Sequence, residues 1–300
     1  MELSGLHILL TYCCNFECDH CFVWGSPQQN GTLTLQQIRQ VLNQARETDT
    51  VEWIYFEGGE PFLYYPILLE AVRMSHEMGF QVGIVTNAYW ATGEDDALCW
   101  LAPFTGLVQD LSASSDLFHY NEMLSAQARR ATDAAGHLGL PTGVISIAQP
   151  GETACTDVSG QLPEEESGIM YRGRAAEKLS PLARQHVWTQ FTQCPHEDIH
   201  QPGRIHLDPL GYLHICQGIA IGNLFQTPLK EICRSYDPLQ HPILGPLLEN
   251  GPVGLVERYA LPHRDEYADA CHMCYETRLA LRSQFPDFLT PDQMYGVITS

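Results

Sequence analysis

Four cysteines stand close together near the amino end of this 300-residue chain, in the stretch TYCCNFECDHCFVWG. Cys14, Cys18 and Cys21 have the spacing C-x3-C-x2-C. A short loop with this spacing can fold three thiolates around one corner of a cubane, which leaves the fourth iron without a protein ligand. Soft thiolates also suit zinc, which would need a fourth ligand, and Cys13 or His20 can supply it. The motif indicates a metal centre and leaves both metals open.

A second set of four cysteines lies in the C-terminal third of the chain, at Cys194, Cys216, Cys271 and Cys274. The last two form C-x2-C, and the other two are separated from them by long intervals. Four thiolates from a hairpin and its flanking segments can close around a metal and leave no coordination position open. Taken alone, the set is typical of a structural zinc ribbon at least as much as of an iron–sulfur site. A histidine can also replace one of the cysteines.

The bulk composition narrows the class of protein. A net charge of −20 argues against a nucleic-acid partner, because phosphate binding needs a basic surface, and also against binding to an anionic membrane. The amino end lacks the pattern of a signal peptide, and no stretch reaches the roughly 18 apolar residues of a membrane span. We therefore expect a soluble, cytoplasmic protein. Disulfides are rare in that compartment, so clustered cysteines there are expected to bind metal or do chemistry.

Three other cysteines, Cys99, Cys155 and Cys233, have no partner at a useful spacing, and using Cys13 would give C-x4-C-x2-C, a departure from the usual pattern. Cys13, Cys99, Cys155 and Cys233 are interpreted as structural thiols, and Cys13 as a buried one. The total of eleven is odd, which fits a complete disulfide framework poorly.

The first half of the chain alternates strands and helices. The predicted strands are LHILLTY, WIYF, FQVGIVTNA, LVQDLSAS and GVISIA. Between them, Thr34 and Gln37 form a capping box before a helix, Pro66 can open a second helix, and residues 120–138 are predicted as a third. The acidic run GEDD is predicted as a solvated loop. This alternation indicates βαβ units with a parallel sheet, and hence an α/β fold.

Four polar signatures follow the predicted strands at their carboxyl ends. They are the N-terminal cysteine cluster and the segments GGEP, TNA and SASSD. Chemistry gathers at this end of parallel sheets. The sequence therefore predicts one shared site on this rim.

The alternation weakens after about residue 150. Residues 149–168 are polar and turn-rich and are predicted as a loop, and residues 177–191 as a helix. The run RIHLDPLGYLHIC is predicted as a hairpin around a type I turn that brings Cys216 to the end of its second strand.

The N-terminal half resembles the radical S-adenosylmethionine (SAM) enzymes, whose signatures are C-x3-C-x2-C early in the chain and Gly-Gly-Glu-Pro after the second strand. Both motifs are intact and in the expected order over about residues 5–150. The resemblance implies a partial (β/α)6 TIM-like barrel. It also implies a [4Fe–4S] cluster on Cys14, Cys18 and Cys21, with SAM chelating its open iron through the amino and carboxylate groups.

The resemblance implies further roles in holding SAM. Gly58 and Gly59 would let the backbone approach the methionine moiety, Glu60 with neighbouring carbonyls would accept its ammonium, and Pro61 would stiffen the turn. Candidate contacts to adenine, ribose or carboxylate are His20, Phe22, Thr86, Asn87, Ser112 and Ser114. For the last four, ordinary capping of strand ends is the alternative.

The C-terminal part resembles the extensions called SPASM and twitch domains, through the segments GRAAE, DPLGYLHIC and IGNLFQTPLKEI. Those extensions hold auxiliary [4Fe–4S] clusters. With four cysteines available, the resemblance implies one auxiliary cluster on a small β-hairpin and helix extension. The expected domains are a radical SAM core over residues 1–190 and this extension over residues 191–300.

The resemblance implies reductive cleavage of SAM to a 5′-deoxyadenosyl radical, fed by a flavodoxin- or ferredoxin-type reducing partner. An auxiliary cluster that accepts an electron implies a net oxidation, with Asp116 and His119 as candidate bases and Arg172 and Arg174 as candidate carboxylate clamps. A local Asp cap is the alternative for the first pair, and pairing with the acidic loop for the second. A small-molecule substrate is favoured because the predicted barrel begins at once. Modification of a ribosomal peptide and a non-catalytic metal-binding role are the alternatives.

Overall fold

The computed structural model describes residues 1–122, 124–150 and 166–298. Cys155 and most of the predicted loop over residues 149–168 lie outside these ranges. The strands are β1 (Gly5–Thr11), β2 (Trp53–Gly58), β3 (Gln81–Thr86), β4 (Asp110–Ser114), β5 (Thr142–Ile147), β6 (Glu166–Ser167), β7 (His186–Val187), β8 (Arg204–Leu207), β9 (Tyr212–Cys216), β10 (Ile219–Asn223) and β11 (Glu266–Tyr267). No helix in the described ranges is long and apolar enough to cross a membrane.

Helices flank these strands. The α-helices are α1 (Leu35–Glu47), α2 (Tyr65–Glu77), α3 (Glu94–Leu101), α4 (Ala126–His137), α5 (Arg174–Lys178), α6 (Leu229–Ser235), α7 (Leu244–Tyr259) and α8 (Ala270–Leu281). Short 3-10 helices span Pro61–Tyr64, Ala102–Phe104, Ser180–Leu182, Trp188–Gln190 and Asp292–Tyr295. The Thr34–Gln37 capping box is confirmed, since each residue's side chain bonds the other's backbone at the start of α1.

One nine-stranded sheet organises the molecule, in the order β10-β9-β8-β1-β2-β3-β4-β5-β6. The strands from β1 to β6 are parallel, as predicted, and β8 pairs with β1 in parallel before β9 and β10 turn back antiparallel. β1 is buried along its whole length, which is expected of a central strand covered on both faces. The fold is the expected α/β class, an open, mostly parallel sheet consistent with a partial barrel.

The DPLG hairpin is confirmed as β8 and β9, with Cys216 at the end of the second strand. Asp208 holds the turn, because its Oδ1 accepts from the N–H groups of Leu210 and Tyr212, each at 2.9 Å. Its Oδ2 accepts from the hydroxyl of Tyr12 at 2.8 Å. The hairpin is therefore fixed against the loop that follows β1.

Three local predictions were wrong. The acidic run GEDD opens helix α3 instead of forming a loop, and its carboxylates lie in the first turn, where the helix dipole favours negative charge. The helix predicted over residues 177–191 is divided into the end of α5, two 3-10 turns and strand β7, because Pro181 interrupts it and β7 pairs with the distant β11. The helix predicted over 120–138 starts later, at Ala126, where Ser125 caps it.

Candidate active site

The N-terminal cysteine loop covers the carboxyl end of β1 and faces a cavity of about 360 Å³. Cys14, Cys18 and Cys21 line this cavity, and Cys13 does not. Cys13 is half-buried instead of buried as expected, and its backbone N–H donates to the Thr11 hydroxyl at 3.0 Å. The structure therefore selects the three cysteines of the C-x3-C-x2-C spacing.

Backbone and amide N–H groups are directed at two of the three sulfurs. The N–H of Phe16 lies 3.4 Å from the Sγ of Cys14, and that of Gly25 lies 3.2 Å from the Sγ of Cys21. Asn87 adds a longer contact of 3.7 Å from Nδ2 to Cys14. Burial raises the pKa of the Cys14 thiol to about 12. Such donors suit a thiolate whose charge is shared with a metal, since a bare thiolate would be costly there.

The spacing of the sulfurs bears on which metal they suit. A tetrahedral zinc ion with Zn–S bonds of about 2.3 Å needs sulfurs about 3.8 Å apart. Within the described residues, the three Sγ atoms are not all within 4.8 Å of one another. The arrangement fits a larger iron–sulfur cluster better than a single ion, and no fourth cysteine of the described residues lines the cavity.

Arg174 holds the cysteine loop in shape. Its guanidinium is buried and donates to the carbonyl of Cys18 at 2.7 Å and to that of Gly25 at 2.9 Å. The preceding Gly173 has φ of +59°, and a Cβ there would lie 2.7 Å from the Phe22 backbone. Arg174 does not line the cavity, so this structural role replaces the substrate clamp expected from the sequence, while residues 163–165 of the acidic loop lie outside the described residues.

Gly58 and Gly59 pack against the loop from β2. A Cβ on Gly58 would lie 2.4 Å from the carbonyl oxygen of Thr11, and one on Gly59 would lie 2.1 Å from that of Cys13. The N–H of Gly59 donates to Thr11 O at 2.7 Å. Both glycines also line the cavity. The close approach that the sequence predicts toward a ligand is thus also a close approach between two backbone segments.

Glu60 is a buried structural carboxylate. It accepts from the N–H of Phe62 at 3.0 Å, the hydroxyl of Thr86 at 2.9 Å and the N–H of Asn87 at 2.7 Å. Burial raises the pKa of Glu60 to about 7. Its side chain does not line the cavity, so an ammonium there would meet backbone carbonyls and not this carboxylate. Pro61 is buried in the first turn of the following 3-10 helix.

The other strand-end candidates divide into two groups. Thr86 is committed to Glu60 and accepts from the indole N–H of Trp90 at 3.1 Å, although it borders the cavity. Ser112 donates to Asp110 and lies away from the cavity lining. Asn87 and Ser114 line the cavity, as do His20 and Phe22 beside the cysteines.

Asp116 and His119 also line the cavity, and Nδ1 of His119 lies 2.9 Å from Oδ1 of Asp116. The Asp116 carboxylate further accepts from the N–H groups of Phe118, His119 and Ile147. Although burial acts to raise its pKa, the hydrogen bond from His119 and the adjacent charges leave the pKa lowered. Asp116 is the local cap that the sequence left as an alternative, and it orients His119.

The four C-terminal cysteines form a second site. Cys216 ends β9, and Cys271 and Cys274 lie on α8. Burial raises the pKa of Cys194, Cys271 and Cys274, and repulsion from the charge of Cys216 raises each of them further, so the four thiols lie near one another. Within the described residues, no three of their Sγ atoms are all within 4.8 Å of one another. As at the first site, this spacing is wide for one zinc ion.

Two buried guanidiniums face this second site. Arg172 lies 3.1 Å from the Sγ of Cys216 and 3.0 Å from Oε1 of Glu197, and it also lines the first cavity. Arg278 is 1% exposed and bonds the carbonyl of Gln217, with no carboxylate partner in the part of the chain described. A buried cation without an anion is costly, so negative charge is expected on the cysteines. The thiolate forms of these cysteines would supply that charge.

Several polar residues that line the cavity were not predicted from the sequence. His7, Glu57 and His206 lie on the same face of three adjacent strands, and Arg204 and Glu197 lie beside them. A polar residue at an inward position of an otherwise apolar strand was the available signal, as with His7 in LHILLTY. A second cavity of about 480 Å³ adjoins at His7, His196, Glu197 and Arg204.

Comparison with known proteins agrees with this site. The family model of the radical SAM superfamily matches residues 8–156. The putative peptide biosynthesis protein YydG of Bacillus subtilis (strain 168) is 28% identical over 107 residues, which are 35% of this chain and 34% of that protein. A SAM-dependent nucleotide dehydratase of Fibrobacter sp. (strain UWH6) is 28% identical over 122 residues, 37% of this chain and 33% of that protein. The matches thus cover about a third of these relatives' length.

The fold is shared with a solved structure. The crystal structure of Streptococcus suis SuiB has a TM-score of 0.52 and 13% sequence identity, over 81% of this chain and 68% of that chain. The same protein bound to S-adenosylmethionine gives a TM-score of 0.50 at 13% identity, over 79% and 66% of the two chains. The segment of residues 8–156, in which the N-terminal cysteine motif and the Gly-Gly-Glu-Pro turn pack together at one cavity, belongs to the radical SAM superfamily.

Proposed function

We propose that the chain is an enzyme that cleaves SAM reductively and abstracts a hydrogen atom from a substrate bound in the cavity. Cys14, Cys18 and Cys21 would hold a [4Fe–4S] cluster and leave one iron for SAM. When bound, this cluster supplies the electron that breaks the C–S bond of SAM and releases the 5′-deoxyadenosyl radical. The supporting observation is the convergence of three cysteines, and no fourth from the described residues, on one cavity beside Gly58 and Gly59.

The residues around the cavity would position SAM and exclude water. Backbone carbonyls beside Gly59 would accept the ammonium of SAM, while His20 and Phe22 would contact the adenine. Asn87 and Ser114 are the remaining polar candidates on the rim, since Thr86 and Ser112 are committed to carboxylates. Ring contacts such as His20 to Phe118, at 4.8 Å between centroids, pack the side chains of this wall against one another. A dry, ordered site protects a reactive radical.

The C-terminal cysteines would hold a second [4Fe–4S] cluster that accepts an electron, so that the overall reaction is an oxidation. Arg172 supports this assignment, because it lines the substrate cavity and also contacts Cys216. His119 would take the proton that leaves the substrate, since Asp116 fixes its Nδ1. We expect the enzyme to work in the cytoplasm with a flavodoxin- or ferredoxin-type reductant.

A small metabolite is the proposed substrate. The cavity of about 360 Å³ lies at the lower end of the range for small-molecule sites and would have to hold SAM as well, which favours a small substrate. Modification of a peptide is the second candidate, because one relative is named as a putative peptide biosynthesis protein. The adjoining cavity at His7 and Arg204 would give an extended segment additional room.

The test is anaerobic reconstitution with iron and sulfide, followed by SAM and a strong reductant. Wild type is expected to form 5′-deoxyadenosine, and a Cys14/Cys18/Cys21→Ala triple variant is expected to form none. The triple variant should retain about half of the iron if the second site also holds a [4Fe–4S] cluster, because each site holds four irons. A zinc ion at the second site would instead leave almost no iron in that variant, and zinc analysis of the same sample would detect it. Absence of 5′-deoxyadenosine from loaded wild type would overturn the proposal.

A further inference from the structure

Three side chains from adjacent strands meet on the wall of the cavity below the cysteine loop. His7 of β1 pairs in register with His206 of β8 and with Tyr55 of β2, and Glu57 follows Tyr55 on the same face. One ligand atom from each of His7, Glu57 and His206 lies within 4.8 Å of the others. All three side chains line the cavity. None of them belongs to either cysteine site.

The distances within this group suit coordination of one ion. Nδ1 of His7 lies 3.4 Å from Oε2 of Glu57, and Nε2 of His206 lies 3.2 Å from Oε1. Ligand atoms bound at about 2.1 Å from one ion are separated by about 3.0 to 3.4 Å in octahedral or tetrahedral geometry. The group therefore needs only small adjustments to close around a metal.

The Glu57 carboxylate contacts His7 through Oε2 and His206 through Oε1, but only the contact with His7 has the geometry of a hydrogen bond. The His206 imidazole N–H is not aligned on Oε1, and this oxygen is buried with no hydrogen-bond donor in the described part of the chain. A buried carboxylate oxygen without a donor is costly. A cation placed between the two imidazoles and the carboxylate would remove that cost.

Packing fixes the two imidazoles in place. The His7 ring stacks on Tyr55 with 4.7 Å between centroids and 13° between planes, and the Tyr55 hydroxyl donates to Asp110 at 3.1 Å. The edge of Phe22 contacts His206 with 6.1 Å between centroids. Because the ligands stand on paired strands, the geometry is held before any ion binds.

The two other groups in the described residues with metal-ligating spacing are weaker candidates. In the group of His20, Asp116 and His119, the aspartate already accepts from three backbone N–H groups. The group of His196, Asp269 and Cys271 contains a cysteine of the second thiol site. Among these three groups, only that of His7, Glu57 and His206 is separate from both cysteine sites and contains a carboxylate oxygen without a hydrogen-bond donor.

We propose that His7, Glu57 and His206 bind a divalent first-row metal ion in the wall of the substrate cavity. Two imidazoles and one carboxylate suit Mn²⁺, Fe²⁺, Co²⁺ or Zn²⁺, and such a triad leaves positions open for other ligands. Those positions face the cavity, where a carboxylate or hydroxyl oxygen of a substrate can fill them. This site does not depend on the chemistry proposed at the cysteines.

The test is an anaerobic Mn²⁺ titration of the cluster-loaded protein with oxidised clusters, in which the EPR signal of free Mn²⁺ reports binding. Mn²⁺ is the probe because it prefers nitrogen and oxygen ligands to thiolates. Wild type is expected to bind one Mn²⁺ per chain, and His7→Gln, Glu57→Gln and His206→Gln are each expected to weaken binding at least about tenfold. His263→Gln, which changes an exposed histidine bonded to the Arg264 carbonyl, should bind as wild type does.

Melting curves keep the result interpretable. Saturating Mn²⁺ should raise the melting temperature of wild type and of His263→Gln, and leave that of folded triad variants unchanged. Iron content and circular dichroism identify variants that fail to fold, and any one folded triad variant suffices. No stoichiometric Mn²⁺ binding by wild type, or equal binding by wild type and a folded triad variant, would overturn the proposal.

Discussion

Arg172 and Arg174 stand two residues apart and bind to different cysteine sites. Nη1 of Arg172 lies 3.1 Å from the Sγ of Cys216, whereas Nη1 of Arg174 donates to the carbonyl of Cys18 at 2.7 Å. Arg172 also lies over the Phe22 ring, with 5.1 Å from Cζ to the centroid. The short segment that carries both arginines therefore connects the two sites on which the proposed chemistry depends.

The two arginines give matched variants. Arg174→Gln should lower the iron content of the N-terminal site and SAM cleavage by about tenfold or more, because two charge-assisted hydrogen bonds to the loop are lost, each about 1.5 to 3 kcal/mol. Arg172→Gln should retain SAM cleavage and weaken the second cluster. EPR of the reduced proteins with iron analysis measures both. The same loss at both sites in each variant would contradict separate roles.

Arg278 is expected to stabilise the second cluster through its charge. Arg278→Gln should reduce iron retained at that site, because a buried cation next to the cysteines is removed. Arg282→Gln, one turn further along and paired with Asp292 at the surface, is the control and should retain iron. Iron content of each protein after gel filtration distinguishes them. Full iron retention in Arg278→Gln would show that the guanidinium is not the required countercharge.

Gly59 is required by the backbone packing around the first cluster. In Gly59→Ala, the new Cβ would lie 2.1 Å from the Cys13 carbonyl oxygen, so the loop must move. We expect a loss of more than about 3 kcal/mol in unfolding free energy, or failure to load iron at the first site. Gly79→Ala is the control, because Gly79 has φ of +89° and a Cβ added there would have no atom within 4 Å. This variant therefore measures the conformational cost alone, which is about 1 to 2 kcal/mol. Equal losses in the two variants, measured by urea unfolding, would exclude the packing explanation.

Because of His241, we expect the free energy of unfolding to fall in acid. Its Nδ1 accepts from the N–H groups of Ile243 and Leu244, and Nε2 lies 3.1 Å from the carbonyl of Ala220, so the neutral ring is required. Burial lowers the pKa of His241. Below the unfolded-state pKa of about 6.5 the unfolded chain binds the extra proton, so stability is complete above that pH and decreases as pH falls below it.

The matched variant is His241→Asn, whose side-chain oxygen can still accept from the same N–H groups but does not titrate. Urea unfolding of cluster-loaded protein between about pH 5 and 8 should show a smaller acid loss in the variant than in wild type. Parallel curves for the two proteins would exclude His241 as the source of the acid sensitivity.

Local signals were sufficient to predict the alternating half of the fold. The strands have short apolar runs, and Thr34 and Gln37 form the predicted cap because capping depends on residues three positions apart. The segment before Cys194 was mispredicted because β7 exists through its pairing with β11, about 80 residues further along the chain. Periodicity within one segment carries no information on such a partner.

The same distinction between local sequence signals and contacts of distant segments applies to the candidate site. Cys14, Cys18 and Cys21 were identifiable because their spacing lies within one loop. The structural role of Arg174 was not identifiable, because this residue contacts Cys18 and Gly25, which lie 156 and 149 residues away in the chain. The pairing of Glu57 with two histidines exists only after β1, β2 and β8 are assembled.

We propose that one iron of the first cluster lacks a protein ligand and binds SAM directly. Pulsed ENDOR of the reduced protein with SAM labelled with ¹⁵N at its amino group measures this contact. If this iron binds SAM, we expect a ¹⁵N coupling to the cluster and a changed EPR spectrum on adding SAM. Both should be absent from the Cys14/Cys18/Cys21→Ala variant. A loaded wild-type cluster with no ¹⁵N coupling and an unchanged spectrum would contradict it.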